Sequence, residues 1–260
     1  MGIKSEYLPT EYWVDSEGSL HRAYFEYEDG LISESPREWE NLTVIVNASS
    51  YGLTGSNDVS VRDIEEYLIA ETGINEAWYY NNRKRYGGIK SLVEKFRKEK
   101  CIAFEYLSVY DHSGITVRCG LGSGWDVSNV GFIYVPKDSA EVKDYIKKHG
   151  KAETEKWALS ILEGEVRTLA DYCEGNVYCL VHEKYDEEFS SWELEDTLGG
   201  IYLTSDTLDG ERKKARECIK DNCSCSSCNF FTETEVNKAI EENTLDVLLH
   251  GQKVLQFMEV

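Results

Sequence analysis

The sequence predicts an α+β fold, a mostly antiparallel sheet with helices packed on it, plus a cysteine-rich C-terminal extension. Three observations predict it. Strand-like runs group together and helix-like runs group together, instead of alternating as βαβ units do. An apolar fraction of 41% over 260 residues supplies a sizeable core. An aromatic content of 12%, with 17 Tyr and 6 Trp, argues against disorder despite the high charge.

The elements follow in order. Residues 11–28 read as a hairpin: Tyr12-Trp13-Val14, a turn at Asp15-Ser16-Glu17-Gly18, then an alternating run from Leu20 to Tyr27. The β-branched run Asn41-Leu42-Thr43-Val44-Ile45-Val46 predicts a buried strand. Ser60 is placed to cap a helix carrying Val61, Ile64, Leu68 and Ile69, with Asp63 in a capping-box-like position and Gly73 as its stop. A second helix covers residues 89–100, with Leu92, Val93 and Phe96 on one face. Strands follow at 101–110, 115–119 and 132–135, the first two forming a hairpin. Helices come next at 139–148 and 152–173, the latter striped by Trp157, Ile161, Val166 and Leu169. Residues 177–182 read as another strand. A charged helix at 210–220 leads into clustered cysteines, a short helix covers 233–242, and 245–257 form a closing hairpin. The expected division is a main domain over 1–205 and an extension over 206–260.

Charge narrows the partners. With 48 Asp+Glu against 28 Lys+Arg, the formal charge is −20. Such a surface repels nucleic acid and anionic membranes, whose binding needs a basic footprint, and favours a basic protein partner. No run approaches the roughly 20 apolar residues that span a bilayer, and no secretory signal is visible, so a cytosolic protein is expected. Cys101, Cys119, Cys173 and Cys179 are scattered among apolar neighbours and read as reduced core residues.

Three segments resemble a known group. Ser35-Pro36-Arg37-Glu38-Trp39-Glu40-Asn41-Leu42 resembles an S-P-R-E-W-D-N-L element, and residues 109–116, Val-Tyr-Asp-His-Ser-Gly-Ile-Thr, resemble a Y-D-H-S-G-I-T element. Trp125-Asp126 followed by Val130-Gly131-Phe132-Ile133-Tyr134-Val135 resembles a W-D-S-G-Q-V-G-F-I-Y-V element. Together they are similar to an uncharacterised protein family encoded by bacteriophages and other mobile elements. Gly164-Glu165-Val166 and Gly175-Asn176-Val177-Tyr178 look like later landmarks, so the resemblance covers roughly residues 20–205. The chain departs from the pattern at Val127-Ser128-Asn129 and in about 50 further C-terminal residues. The resemblance implies a mobile-element setting, hence host takeover or counter-defence, and implies no reaction.

Four constellations carry chemistry. Asp111, His112 and Ser113 lie at a strand end, where Trp125 and Asp126 from the following glycine-rich loop can join them in a ligand pocket; the same residues also suit a plain turn, with Gly114 supplying positive φ. Arg83, Lys84, Arg85 and Tyr86 interleave basic and aromatic side chains suited to an anion or nucleotide. From residue 83 to 100 eight basic residues face Glu94 and Glu99, a local +6, so the rest of the chain carries −26. The alternative is a helix with a basic solvated face, or docking on an acidic patch of a homodimer partner. The acidic run Glu183, Asp186, Glu187, Glu188, Glu193, Glu195 and Asp196 either imitates a nucleic-acid backbone or forms a solvated loop. Cys218, Cys223, Cys225 and Cys228 can close a tetrahedral structural zinc site, or remain reduced or pair locally.

The expected function is an acidic, non-enzymatic binding protein that inhibits a host nucleic-acid-handling or defence factor. The alternative is a nucleotide-binding or nucleotide-processing protein with a pocket around His112 and Asp126.

Overall fold

The structure, a computed structural model, describes residues 8–15, 17–28, 34–112, 114–203, 208–222 and 230–242. The chain divides into two units, Met1–Ser33 with Gly175–Val260, and Glu34–Glu174. Each is built on its own sheet. The single sheet and the boundary at 205 expected from the sequence are therefore replaced by two five-stranded sheets and by a second unit inserted into the first.

In the first unit, β1 (Glu11–Val14) and β2 (Leu20–Tyr27) form the expected hairpin, with Tyr12 opposite Arg22. Asp15 makes the turn: its Oδ1 accepts from the Glu17 and Ser19 amides at 2.9 and 2.8 Å. β2 also pairs antiparallel with β8 (Tyr178–Asp186), and β8 with β9 (Ser191–Ile201). The short β10 (Phe230–Phe231) adds to β1, giving the order β10-β1-β2-β8-β9. Alternation along the strands supplies two apolar faces. Trp13, Ala23, Phe25, Tyr178 and Leu180 pack with Ala215 and Ile219 of α6 (Leu208–Asn222). Tyr12, Val14 and Leu20 pack with Val236 of α7 (Glu233–Glu241), which Thr232 and Glu235 start with a reciprocal capping box. α6 and α7 thus contribute to this sheet's core, which corrects the expected separate extension.

In the second unit the sheet order is β4-β3-β7-β5-β6, from β3 (Val44–Asn47), β4 (Val59–Ser60), β5 (Cys101–Asp111), β6 (Ile115–Cys119) and β7 (Val127–Pro136). All pairs are antiparallel except β3–β4. Helices cover both faces. Ile45, Leu107, Val109, Ile133 and Val135 pack against α4 (Ala140–His149) and α5 (Lys151–Glu174). Val46, Phe104 and Phe132 face α1 (Ile64–Thr72), α2 (Glu76–Tyr86) and α3 (Gly88–Lys100). Each fully buried Leu, Ile or Phe here contributes about 1.5–3 kcal/mol.

Local details correct the sequence reading. Asp63, not Ser60, caps α1, its carboxylate accepting from the Glu65 and Glu66 amides, while Ser60 ends a strand. An Asp one residue before the apolar period satisfies orphan amides that Ser60 is too far away to reach. Cys119 is exposed at the end of β6, not in the core. Among the described residues no helix is long and apolar enough to cross a membrane. The expected hairpin at 245–257 lies outside the described residues.

Candidate functional site

The pocket expected around residues 111–126 is only partly assembled. His112 Nδ1 lies 3.3 Å from Asp126 Oδ2, so the strand end and the loop do meet. Asp111 points elsewhere: its Oδ2 accepts from the Tyr51 hydroxyl at 3.0 Å. Successive residues of a strand face opposite ways, which separates Asp111 from His112. Trp125 is fully exposed, and the His112 and Asp126 side chains are 64% and 43% exposed. These groups stand in solvent instead of lining a cavity. Ser113 lies outside the described residues.

The basic segment is two helices, α2 and α3, and part of its charge is answered locally. Arg83 donates from Nε and Nη2 to both oxygens of Glu65 at 2.8 and 3.0 Å, and the Tyr79 hydroxyl donates to the same carboxylate. Lys95 pairs with Glu99, and Lys100 with Glu71 at 3.2 Å. Arg83, Lys84 and Arg85 occupy the last turn of α2, where cations complement the helix dipole. Tyr86 packs edge-on to Trp78 and Tyr79. Further along, Arg97, Lys98, Lys137, Lys143 and Lys151 line an open groove of about 890 Å³, but Glu94, Glu105, Asp138 and Glu155 share it. The groove is close to neutral.

Two motif residues meet in the core of the same unit. Arg37, 1% exposed, donates to Asp58 at 2.9 and 2.6 Å, to Thr43, and to Glu165 at 2.9 Å. Burial alone would lower this guanidinium; the hydrogen bonds and charge of Asp58 and Glu165 outweigh it and hold it above its ordinary value. Arg37 and Glu165 thus tie the 3-10 turn at Pro36–Glu38 to α5, a structural role.

The acidic run lies on a two-stranded ribbon, β8–β9, and on the turn that joins its strands. Glu183 of β8 pairs with Arg22 Nε at 2.5 Å, and that guanidinium stacks over Trp192 at 4.4 Å. Asp186 Oδ1 accepts from the Phe189 amide at 3.0 Å and so closes the turn. Glu187 and Glu188 sit in the turn; Glu193, Glu195 and Asp196 lie on β9. β9 ends the sheet order, and all its residues except Trp192 and Ile201 are exposed. Leu194 is 64% and Leu198 43% exposed, and Phe189 at the tip is 70% exposed.

At the root of this ribbon lies a cluster that sequence reasoning missed. His21 of β2, His182 of β8 and Glu195 of β9 converge: His21 Nδ1 is 3.1 Å from His182 Nε2, and Glu195 Oε2 is 3.2 Å from each. Two register features create this. Ala23 is the cross-strand partner of His182, so His21 is its diagonal neighbour on the same face. A β-bulge between His182 and Glu183 leaves Glu195 as the extra residue, re-aimed toward the two rings. On its other side His21 Nε2 donates to Asp15 Oδ2 at 3.0 Å. Trp13 stacks on both imidazoles, with ring centres 5.5 and 5.1 Å away. Burial pushes the His182 ring below its ordinary value, against the pull of Glu195 and with the help of His21.

Cys218, half-buried in α6, accepts from the Asn222 side-chain amide at 3.5 Å. Cys223, Cys225 and Cys228 lie outside the described residues, as does most of the zinc site expected there. No family model, curated protein or solved structure matches the chain.

Proposed function

We propose that the protein acts by docking, as an acidic, non-enzymatic module that lays the outer edge of its β8–β9 ribbon against a basic protein. The observation that carries this reading is β9 itself. Among the described residues an eleven-residue strand ends the sheet, exposes Leu194 and Leu198, and flanks Leu194 with Glu193 and Glu195. Long exposed edges of this kind template pairing with another chain, and proteins usually blunt them with lysine, proline or a covering loop. β9 carries bulges but no lysine or proline, and is marked by acidic and apolar side chains. A partner strand can take its main-chain hydrogen bonds, with apolar pockets and basic side chains providing specificity.

The partner class follows from charge. A host nucleic-acid-handling or defence factor presents a basic face, and the mobile-element setting implied by the sequence motifs fits such a target. Occupying that face inhibits the factor by competing with its nucleic acid. The test is capture of partners from a host lysate at low and high salt, with L194K/L198K and E187K/E188K/E193K variants alongside. Salt-sensitive recovery of a nucleic-acid-binding protein by the wild type alone is expected. Recovery of none, or equal recovery by both variants, overturns the reading.

A further inference from the structure

We propose that His21, His182 and Glu195 bind a divalent transition-metal ion of the zinc class, at a site that uses none of the four clustered cysteines. The proposal does not depend on the ribbon docking a partner.

The first argument is geometric. The three ligand atoms form a nearly equilateral triangle with edges of 3.1, 3.2 and 3.2 Å. An ion bound at about 2.0–2.1 Å to nitrogen and oxygen separates its ligands by about 3.3 Å in a tetrahedral shell and about 2.9 Å in an octahedral one. The triangle fits one face of such a shell.

The second argument is proton counting. Asp15, an acceptor, fixes the hydrogen of His21 on Nε2, so Nδ1 turns a lone pair inward. Glu195 offers another lone pair. Two acceptors therefore face one possible donor, His182 Nε2. A cation satisfies all three atoms at once.

The third argument is support. Metal-bound histidines commonly donate their other nitrogen to a carboxylate that fixes tautomer and ring orientation. Asp15 does this for His21 and is itself held by two backbone amides. Trp13 fixes both ring planes, and the bulge delivers the carboxylate. The donor set selects the class, because two imidazoles disfavour calcium and magnesium and suit zinc, nickel or copper. Three protein ligands with a 44%-exposed carboxylate at the rim leave a coordination position to water, as in open zinc sites.

The test uses the full chain, stripped with a chelator and titrated with Zn²⁺ by calorimetry, and with Co²⁺ by visible spectroscopy. A C218S/C223S/C225S/C228S variant separates the two candidate centres. We expect it to keep one Zn²⁺ equivalent, with a cobalt spectrum free of thiolate charge-transfer bands. In that background E195Q and H182Q weaken binding at least 100-fold, and D15N weakens it about 10–100-fold. Glu195 is exposed at the rim, so E195Q reports on binding even where substitution of buried His21 disturbs folding. Loss of all binding in the cysteine-free variant, or wild-type affinity in E195Q and H182Q, overturns the proposal.

Discussion

Arg37 shows what a single side chain holds together. It is 1% exposed, and the carboxylate it grips from two nitrogens, Asp58, is 0% exposed. Replacing it with alanine leaves that charge without its cation, with only the Ile45 and Gly55 amides still donating to it, and takes a donor from the Thr43 carbonyl and from Glu165. We expect R37A to lose about 3–5 kcal/mol of stability, the range for breaking a buried pair from one side. R37K keeps the charge but not the fork that reaches Asp58, Thr43 and Glu165 together, so it falls between the two. Urea midpoints of the three proteins check this; an R37A midpoint equal to wild type refutes it. Arg37 and Glu165 were both visible in sequence motifs, but their pairing was not, because 128 positions separate them. His21 and His182 were hidden for the same reason, at a separation of 161. Metal-ligand spacing rules read local repeats, and this cluster is assembled by strand register instead.

At the scale of elements, legibility followed burial. The strands β3, β5 and β6 and the helices α3, α4 and α5 carry apolar stripes dictated by the core, and the sequence marks them within a few residues, whereas it marks β7 only over 132–135, because residues 127–129 at its start are not buried. The elements missed were those that bury little. α2 buries Tyr79 alone and is rich in aromatic and Asn residues of modest helix propensity; Asn75 starts it by accepting from the Trp78 amide, and Gly87 ends it. β9 is exposed along nearly all its length, so no inside-outside alternation betrays it. Gly131 lies at the opposite extreme, inside a motif and inside the sheet. Its φ is +154°, and a Cβ there would sit 1.9 Å from the Val46 carbonyl oxygen on the paired strand β3. G131A therefore has to force β3 and β7 apart. We expect a loss of about 3 kcal/mol or more, among the larger effects of point substitution. Thermal melting of G131A beside G164A, whose added Cβ meets nothing within 4 Å, is the measurement. Equal melting temperatures would count against the close approach.

For the whole molecule, the connection between β2 and β8 decides the architecture. These strands are antiparallel neighbours whose last register pair is Tyr27 with Tyr178, and the Glu28 amide donates to the Val177 carbonyl at 2.8 Å. They form a hairpin in which the second unit stands where a tight turn would ordinarily be. Sequence periodicity marks strands but not such long-range pairing, so it gives no sign of the inserted unit and points to a boundary at 205 instead. Domain insertion is tolerated where the ends of the interrupted segment lie close together, as residues 28 and 177 do here. Each unit also has its own sheet and its own apolar clusters. Residues 34–174, about 140 residues and within the usual domain range, should therefore fold when expressed alone. Joining residue 28 to residue 177 through a loop of about four residues should leave the first unit folded, because that loop length suits a hairpin. Each product is expected to unfold in one cooperative denaturant transition. The joined first unit should also retain hydrogen-exchange protection at the β2–β8 amides. If 34–174 lacks a cooperative transition, or those amides exchange freely in the joined protein, the two units are not autonomous and the inserted architecture is wrong.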